Sequence, residues 1–101
     1  MAQFQVGQIV EHQKFGYRGV VFGVDEAFAL SDEWYDAVAR SRPPRDKPWY
    51  HVLVDGARHT TYVAERHLAE SADRTQIAHP QLGDWFDHFD GARYRPRGGQ
   101  P

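Results

Sequence analysis

The sequence predicts one small, mainly β domain of antiparallel strands with a short helix inserted between them. A chain of 101 residues has room for one hydrophobic core, and its 41% hydrophobic and 14% aromatic residues can fill that core. Runs of β-branched and aromatic residues recur along the chain, with turn-forming residues between them. Composition and pattern together therefore place the chain among compact β proteins and far from disordered ones.

Two strands and a tight turn are predicted at the start of the chain. Residues 7–12 alternate weakly between apolar and polar side chains, and residues 20–25 are rich in β-branched ones. Gly16 and Gly19 lie between the two stretches, which indicates a turn that lets them pair antiparallel. Gly23 falls inside the second stretch and marks a bend of the kind that small barrels need.

A short helix and a basic loop are predicted next. Apolar residues recur at every fourth position from Leu30 to Val38, and Ser31 can cap a helix that runs from Asp32 to about Ala39. Three prolines then exclude regular structure from residues 40–48. This loop should be exposed, and it holds the densest positive charge in the interior of the chain.

An Asp-Gly pair at residues 55–56 predicts a hairpin with a two-residue type I′ turn. That turn puts Val54 opposite Ala57 and Trp49 opposite Tyr62. Large apolar residues occur on both faces of the hairpin, so one face should line a barrel and the other should be covered by a helix or a partner.

The C-terminal part predicts a second helix and a mobile tail. Four apolar residues follow the helical spacing i, i+3, i+4, i+7, namely Leu82, Trp85, Phe86 and Phe89. Gly91 should end this amphipathic helix. The tail beyond it is expected to be flexible and basic, with cations at Arg93, Arg95 and Arg97.

Composition excludes several classes of function. The chain has no cysteine, so disulfides, thiolate metal sites and cysteine nucleophiles are excluded. Its formal net charge of −2 is the wrong sign for a protein whose whole surface attracts phosphate. No signal-like or membrane-spanning apolar stretch is present, so a cytoplasmic protein with no membrane partner is expected. The histidines and serines show no metal-site or nucleophile spacing, and we expect no catalytic residue, metal or cofactor.

Local patches can still bind a partner or DNA. The candidate contacts are the loop cations with their flanking tryptophan and the tail arginines: Arg40, Arg42, Arg45, Lys47, Trp49, Arg93, Arg95 and Arg97. The alternative for the loop is an ordinary solvated loop. Aromatic residues that can form an interface are Trp34, Trp85, Phe86 and Phe89. The alternative for the last three is packing onto the barrel of the same chain.

Three motifs give a family resemblance. Phe15–Val21 (FGYRGVV), Pro48–Val52 (PWYHV) and Thr61–Glu65 (TYVAE) resemble, in this order, the HspQ family, also called the YccV-like or hemimethylated-DNA-binding family. The resemblance covers roughly residues 4–70, and residues 79–94 are similar to a C-terminal extension found in part of the family.

The resemblance implies a small SH3-like or Tudor-like antiparallel barrel with a short helical insertion. The barrel would span residues 1–78, and residues 79–101 would be the C-terminal helix and flexible basic tail of the same domain. It further implies a heat-shock protein without catalysis that assembles as a homo-oligomer, expected to be a trimer.

Two activities follow from the resemblance, and both stay open on the sequence. One is to act as an adaptor or specificity enhancer for degradation of denatured or regulatory proteins, including the replication initiator, by the Lon protease. The other is to bind hemimethylated DNA near the replication origin. We favour the first, because a near-neutral, aromatic-rich surface suits protein contacts.

Overall fold

A computed structural model describes residues 1–98 of the chain. These residues form seven β-strands, two short α-helices and one 3₁₀ turn. In chain order the elements are β1 Ile9–His12, β2 Arg18–Asp25, α1 Asp32–Val38, β3 Trp49–Val54, β4 Thr60–Ala64, the 3₁₀ turn Glu65–His67, β5 Leu68–Glu70, α2 Leu82–Trp85, β6 Phe86–Phe89 and β7 Tyr94–Pro96.

The first five strands form one antiparallel sheet in the order β4-β3-β2-β1-β5. β4 and β5 are the two outer strands of that order, yet only the 3₁₀ turn separates them along the chain. The sheet must therefore curl until its edges approach, which makes a small barrel. The predicted mainly β antiparallel fold is confirmed.

Two local predictions in the first half of the chain are also confirmed. The register of β2 against β3 shifts between Val21 and Gly23, so the strand bends where the glycine was expected to bend it. Helix α1 begins after Ser31, whose Oγ accepts a hydrogen bond from the backbone N–H of Trp34 at 3.1 Å.

The register predicted for the β3–β4 hairpin is wrong by two residues. Trp49 pairs with Ala64 rather than with Tyr62, and His51 takes Tyr62 as its partner. The connection between the strands is correspondingly longer than two residues. Because side chains alternate with a period of two, the shift leaves each side chain on its predicted face.

The Asp-Gly pair does form a tight turn, closed by a hydrogen bond from the Ala57 N–H to the Val54 carbonyl oxygen at 3.2 Å, but Asp55 lacks the positive φ of a type I′ turn. The pair also makes tertiary contacts. The Asp55 carboxylate accepts a hydrogen bond from the backbone N–H of Ala78 at 2.8 Å, and the Gly56 N–H donates to the Ala78 carbonyl oxygen at 2.8 Å. These long-range bonds, which the local sequence does not reveal, fix the turn against the segment that follows β5.

Buried side chains form three clusters, and β3 contributes to all of them. The barrel interior contains Val10, Val21, Tyr50, Val52, Val63 and Leu68. The opposite face of β1–β3 packs with the C-terminal segment through Ile9, Val20, Leu53, Ile77, Phe86 and Tyr94. Helix α1 covers the remaining area through Tyr35, Ala39, Trp49 and Ala64. One face of the hairpin thus lines the barrel and the other is covered, as the sequence predicts.

The predicted C-terminal amphipathic helix is wrong beyond Trp85. Only α2, four residues long, is helical, and β6 follows it and pairs with β7 as a hairpin. The register shifts between Phe86 and His88, so a bulge brings Phe86 and Phe89 onto the same side. Both rings pack on Tyr94, with centroids 5.4 and 4.9 Å away. Two apolar residues three positions apart therefore lie on one side of a bulged strand, just as they lie on one side of a helix.

The tail cations lie against the folded chain. Arg93 donates to the Gln5 side-chain oxygen at 2.7 Å, and Arg95 forms an ion pair with Asp90. Arg97 donates to the Gly83 carbonyl oxygen at 3.1 Å. The buried Tyr94 and these contacts place residues 93–97 against the fold, whereas the predicted flexibility of the tail stays a prediction, and residues 99–101 lie outside the described part.

Among residues 1–98, neither helix has the length or the apolar character needed to cross a bilayer.

Arg18 joins the barrel to the segment after β5. Its guanidinium donates to the carbonyl oxygens of Asp73 and Thr75 at 2.8 and 3.0 Å and forms an ion pair with Asp55 at 3.2 Å. Its side chain is only 16% exposed and that of Asp55 28%, so water competes weakly for the ion pair, whereas the two acceptor carbonyls lie on exposed residues. This arginine of the first motif has a structural role.

We expect Arg18→Ala to lower the free energy of unfolding by about 2 kcal/mol, because it removes one mostly buried guanidinium that bonds two carbonyl oxygens and the partly buried Asp55 carboxylate at once. Urea denaturation measures the change. Arg74→Ala is the matched control: its ion pair with Glu70 is about 60% exposed on both sides and should contribute less than about 1 kcal/mol. Equal losses in the two variants would contradict the structural role of Arg18.

Candidate binding groove

A groove of about 700 Å³ lies beside β4. Residues of β4 line its floor. The turn between β1 and β2 forms one wall, and the C-terminal half of α1 with the residues after it forms the other. The groove therefore lies where the helical insertion meets the edge of the barrel.

Three exposed apolar side chains surround the groove. Phe15 lies on the β1–β2 wall and is 69% exposed, whereas Val38 and Leu30 lie on the α1 side and are 56% and 39% exposed. Single exposed apolar residues are common, but three around one concavity mark a surface that can bind an apolar partner.

His12 holds the β1–β2 wall in place. Its Nδ1 accepts hydrogen bonds from the backbone N–H groups of Lys14 and Phe15, at 3.2 and 3.1 Å. An acceptor nitrogen carries no proton, so these bonds require the neutral imidazole. The His12 ring also stacks on the Phe15 ring, with centroids 4.6 Å apart, and this contact fixes the exposed phenylalanine at the groove.

A second histidine stacks on the first. The rings of His12 and His67 are nearly parallel, with centroids 5.6 Å apart. Burial lowers the pKa of His12, and the neighbouring His67 and Lys14 lower it further. Burial also lowers the pKa of His67, assisted by Arg66 and Lys14. Both rings therefore favour the neutral form at pH 7.

His67 also approaches Ser41, with Nε2 and Oγ 2.9 Å apart. A hydroxyl beside an imidazole is one part of a nucleophilic site. Within residues 1–98, no carboxylate bonds the other ring nitrogen of His67 to orient it. The same loop is also fixed by Arg66, which donates to the Ser41 carbonyl oxygen at 2.7 Å. The arrangement joins the loop after α1 to the 3₁₀ turn.

Aromatic rings pack along the α1 wall. Trp34 contacts Tyr62 with centroids 5.6 Å apart, and Tyr62 stacks on the buried Trp49 at 5.2 Å. The Tyr62 hydroxyl donates to Asp25 at 2.7 Å, and His51 bonds the same carboxylate oxygen at 3.2 Å. Burial and the Asp25 carboxylate raise the pKa of Tyr62 well above its usual value, so the hydroxyl stays protonated.

Two of the four loop cations are neutralised by α1. Arg42 forms an ion pair with Asp36 at 2.9 Å and Arg45 forms one with Asp32 at 2.5 Å. Both guanidinium groups also lie over the Tyr35 ring, at 4.6 and 4.8 Å from its centroid. These two arginines attach the loop to the helix and present little net charge to a ligand.

The other loop candidates separate in the structure. Arg40 lies at the groove and Lys47 lies outside it, and neither side chain forms an ion pair within the described residues. Trp49 is only 2% exposed, so its ring is part of the core. The structure thus does not bring the predicted loop residues together as one basic surface.

The predicted interface aromatics also take different places. Phe86 is buried and Phe89 is partly buried in the cluster under the sheet. Trp85 stays 45% exposed and packs on Phe22 with centroids 4.9 Å apart. Trp34 is half-buried in the α1 wall and contributes to the groove.

Sequence reasoning missed much of the groove. The residues it did not select include His12, Lys14, Phe15, Leu30, Val38, Ser41, His67 and all of β4. Lys14 and Phe15 precede Gly16 in a turn. An aromatic residue in a turn is a sequence feature that can indicate a binding surface. No local pattern links Ser41 to His67. No group of three or more histidine or acidic side chains that could hold a metal occurs in residues 1–98.

The fold and the groove define a small β-barrel binding domain whose concave surface combines apolar side chains with unpaired cations. A family model described as "Hemimethylated DNA-binding protein YccV like" matches residues 2–93. The chain belongs to this YccV-like family, and the resemblance based on the three motifs is confirmed.

The domain is also similar to part of larger curated proteins. F-box only protein 21 from Homo sapiens and from Pongo abelii are each 30% identical to it over 95 residues, and the Mus musculus protein is 28% identical over 95 residues. Each match covers 92% of this chain and 15% of the relative, so the chain spans a small part of the length of these proteins.

The two stacked histidines predict a loss of stability in mild acid. Their folded-state pKa values lie below the ordinary value of 6.5, so the unfolded chain binds protons first as the pH falls. The free energy of unfolding should fall as the pH drops through 6.5 and level off below the folded-state pKa values. Urea denaturation from pH 7.5 to about 5.5 measures this slope.

His12→Asn with His67→Gln is the comparison variant, because asparagine keeps an acceptor for the turn and neither new residue titrates. The variant should have a flatter pH dependence than the natural chain. An unchanged slope would mean that other groups cause the acid sensitivity.

Proposed function

We propose that this chain is a non-enzymatic, cytoplasmic stress-response protein that acts as an adaptor or specificity enhancer for the Lon protease. In this proposal the groove holds an unfolded segment of the protein to be degraded. The observation that carries it is the exposure of Phe15, Leu30 and Val38 around one concavity. Folded proteins bury most of their large apolar side chains and unfolded ones expose them, so an apolar groove favours denatured substrates. The proposal also includes regulatory proteins, among them the replication initiator, as the family resemblance implies.

Binding alone is sufficient for such an adaptor. A substrate held by a protein that also contacts the protease meets the protease at an effective concentration in the millimolar range for a short connection. The interaction needs no bond-making residue, and the Ser41–His67 pair is assigned to joining the loop and the turn. Apolar docking should also persist at physiological ionic strength, because it does not depend on unscreened charge.

The proposal includes a homo-oligomer, expected to be a trimer. Besides the family resemblance, it is supported by Trp85, which packs on Phe22 outside the groove and remains 45% exposed. An exposed tryptophan beside a second ring is a surface that another copy of the chain can cover.

Phe15→Ser combined with Val38→Ser should weaken binding of a denatured, monomeric protein at least tenfold, because apolar anchors dominate such contacts. Fluorescence anisotropy with a labelled, permanently unfolded protein measures the affinity, and the rate of its degradation by Lon measures the consequence. Both residues are largely exposed, so the variant should fold normally. Ala72→Ser combined with Gln76→Ser is the control, because both residues are exposed and lie outside the groove and away from Trp85 in sequence. Loss of binding in the control alone would contradict the proposed site.

Binding of hemimethylated DNA near the replication origin is the second candidate function. The family match favours it, because the family is described by that activity. Arg40 and Lys47 are the loop cations left for phosphate, and Asp32 and Asp36 neutralise the other two. Contacts from so few cations should be weak and salt-sensitive.

We expect duplex DNA to be poorly retained at about 0.15 M salt, with equal affinity for hemimethylated and fully methylated forms of one sequence. The measurement is a titration of both duplexes at several salt concentrations. If DNA does bind through the loop, Arg40→Ala with Lys47→Ala should reduce the slope of log K against log salt by about 2. Retention at this salt that depends on methylation would contradict the adaptor proposal as the main activity.

A further inference from the structure

The groove follows the free edge of β4. In the sheet order, β4 is an outer strand, and within the described residues it forms a ladder only with β3. Side chains from both faces of β4 line the groove: Thr61 and Val63 belong to the inward face, and Thr60 and Tyr62 to the outward face. A groove lined by both faces of one strand must run along its backbone edge.

We propose that this edge binds an extended peptide segment as an additional β-strand, and that the preferred segment carries acidic residues beside its apolar ones. The inference rests on the proposed function, in which the groove holds part of a protein, and it specifies the chemistry of that partner. Unfolded segments can adopt the extended conformation, and their backbone supplies the donors and acceptors that an edge strand lacks.

The geometry of the two walls fits an extended chain. Successive side chains of a strand point in opposite directions, so the side chains of an added strand would alternate between the two sides of β4. On one side they would meet Phe15 and Tyr17, and on the other they would meet Trp34 and Val38. β4 has five residues, so it can pair with a segment of about five residues, roughly 17 Å long.

Charge indicates which segments are preferred. The side chains that line the groove include Lys14 and Arg40 but no aspartate or glutamate. Neither cation forms an ion pair within residues 1–98, although the chain as a whole carries an excess of acidic residues. The Tyr62 hydroxyl donates to the carboxylate of Asp25, a residue that does not line the groove. An acidic side chain in the groove would therefore meet two cations and no lining carboxylate.

A peptide fits this surface better than a nucleic acid does. A free strand edge offers N–H and C=O groups at the repeat of another peptide, and a phosphate backbone cannot satisfy both. Two cations also provide little of the charge that a nucleic acid requires. Binding of DNA at this edge is therefore the alternative that the test below distinguishes from peptide binding.

The probe is a labelled seven-residue peptide in which valine and phenylalanine alternate with glutamate, used with the full chain. Three matched peptides accompany it: lysine replaces glutamate in one, and the other two carry N-methyl groups on one or the other set of alternate amides. We expect the acidic peptide to bind at least tenfold more tightly than the lysine peptide at about 0.05 M salt. One of the two N-methylated peptides should bind at least tenfold more weakly than the unmethylated peptide. Methylation blocks the edge hydrogen bonds and leaves the side chains intact.

Lys14→Glu with Arg40→Glu is the complementary variant of the chain. Both side chains are exposed, so it should fold, and its preference should reverse toward the lysine peptide. Full binding by both N-methylated peptides would overturn strand addition, and an unchanged charge preference in the variant would overturn the acidic specificity. Displacement of the peptide by hemimethylated duplex, but not by unfolded protein, would overturn the peptide site itself.

These outcomes are separable from failure of the proposed function. If all the peptides bind equally and Phe15→Ser with Val38→Ser abolishes their binding, the groove still holds protein segments and only the strand mode is wrong. If the double serine variant binds unfolded protein as the natural chain does, the proposed function fails first, and the inference fails with it.

Discussion

Burial of β3 on both faces is the constraint on which the rest of the structure depends. Trp49, Tyr50, Val52 and Leu53 are all 2% exposed or less, so neither face of this strand can border water. One face fills the barrel interior. The other requires two covers, and the chain supplies α1 over Trp49 and the C-terminal segment over Leu53. Burying such side chains contributes roughly 2 kcal/mol each, more than the surface ion pairs can provide.

The same constraint produces the groove. Because α1 must cover the part of the outer face around Trp49, its C-terminal end stands beside β4 and forms a wall there. The β1–β2 turn, held by the neutral His12, forms the facing wall. Covering the core strand thus leaves its outer neighbour accessible between two apolar walls. Asp32 and Asp36 bind the loop arginines, which removes charge from the loop and leaves Lys14 and Arg40 as the cations of the groove.

Much of the fold was predictable from the sequence because its signals are local. The cap at Ser31 and the bend at Gly23 depend on neighbouring residues, and both occur where they were expected. The β3–β4 register failed because the ladder resumes only at Leu53 with Thr60, beyond the turn, where residues 57–59 stay outside β4. The C-terminal helix failed because a bulged strand places Phe86 and Phe89 on one side as a helix would. The groove was largely hidden, since contacts such as Ser41 with His67 join segments with no common pattern. Counting loop cations also overestimated the basic surface, because their partners lie on α1.

The most direct test of this account is amide hydrogen exchange of the free chain, measured residue by residue by NMR. We expect strong protection for the amides of β3, which pair on both sides, and rapid exchange for alternate amides of β4, whose outward edge faces the open groove. Protection of every β4 amide to the level of β3 would contradict this expectation, because that result would mean that the edge is already covered in solution.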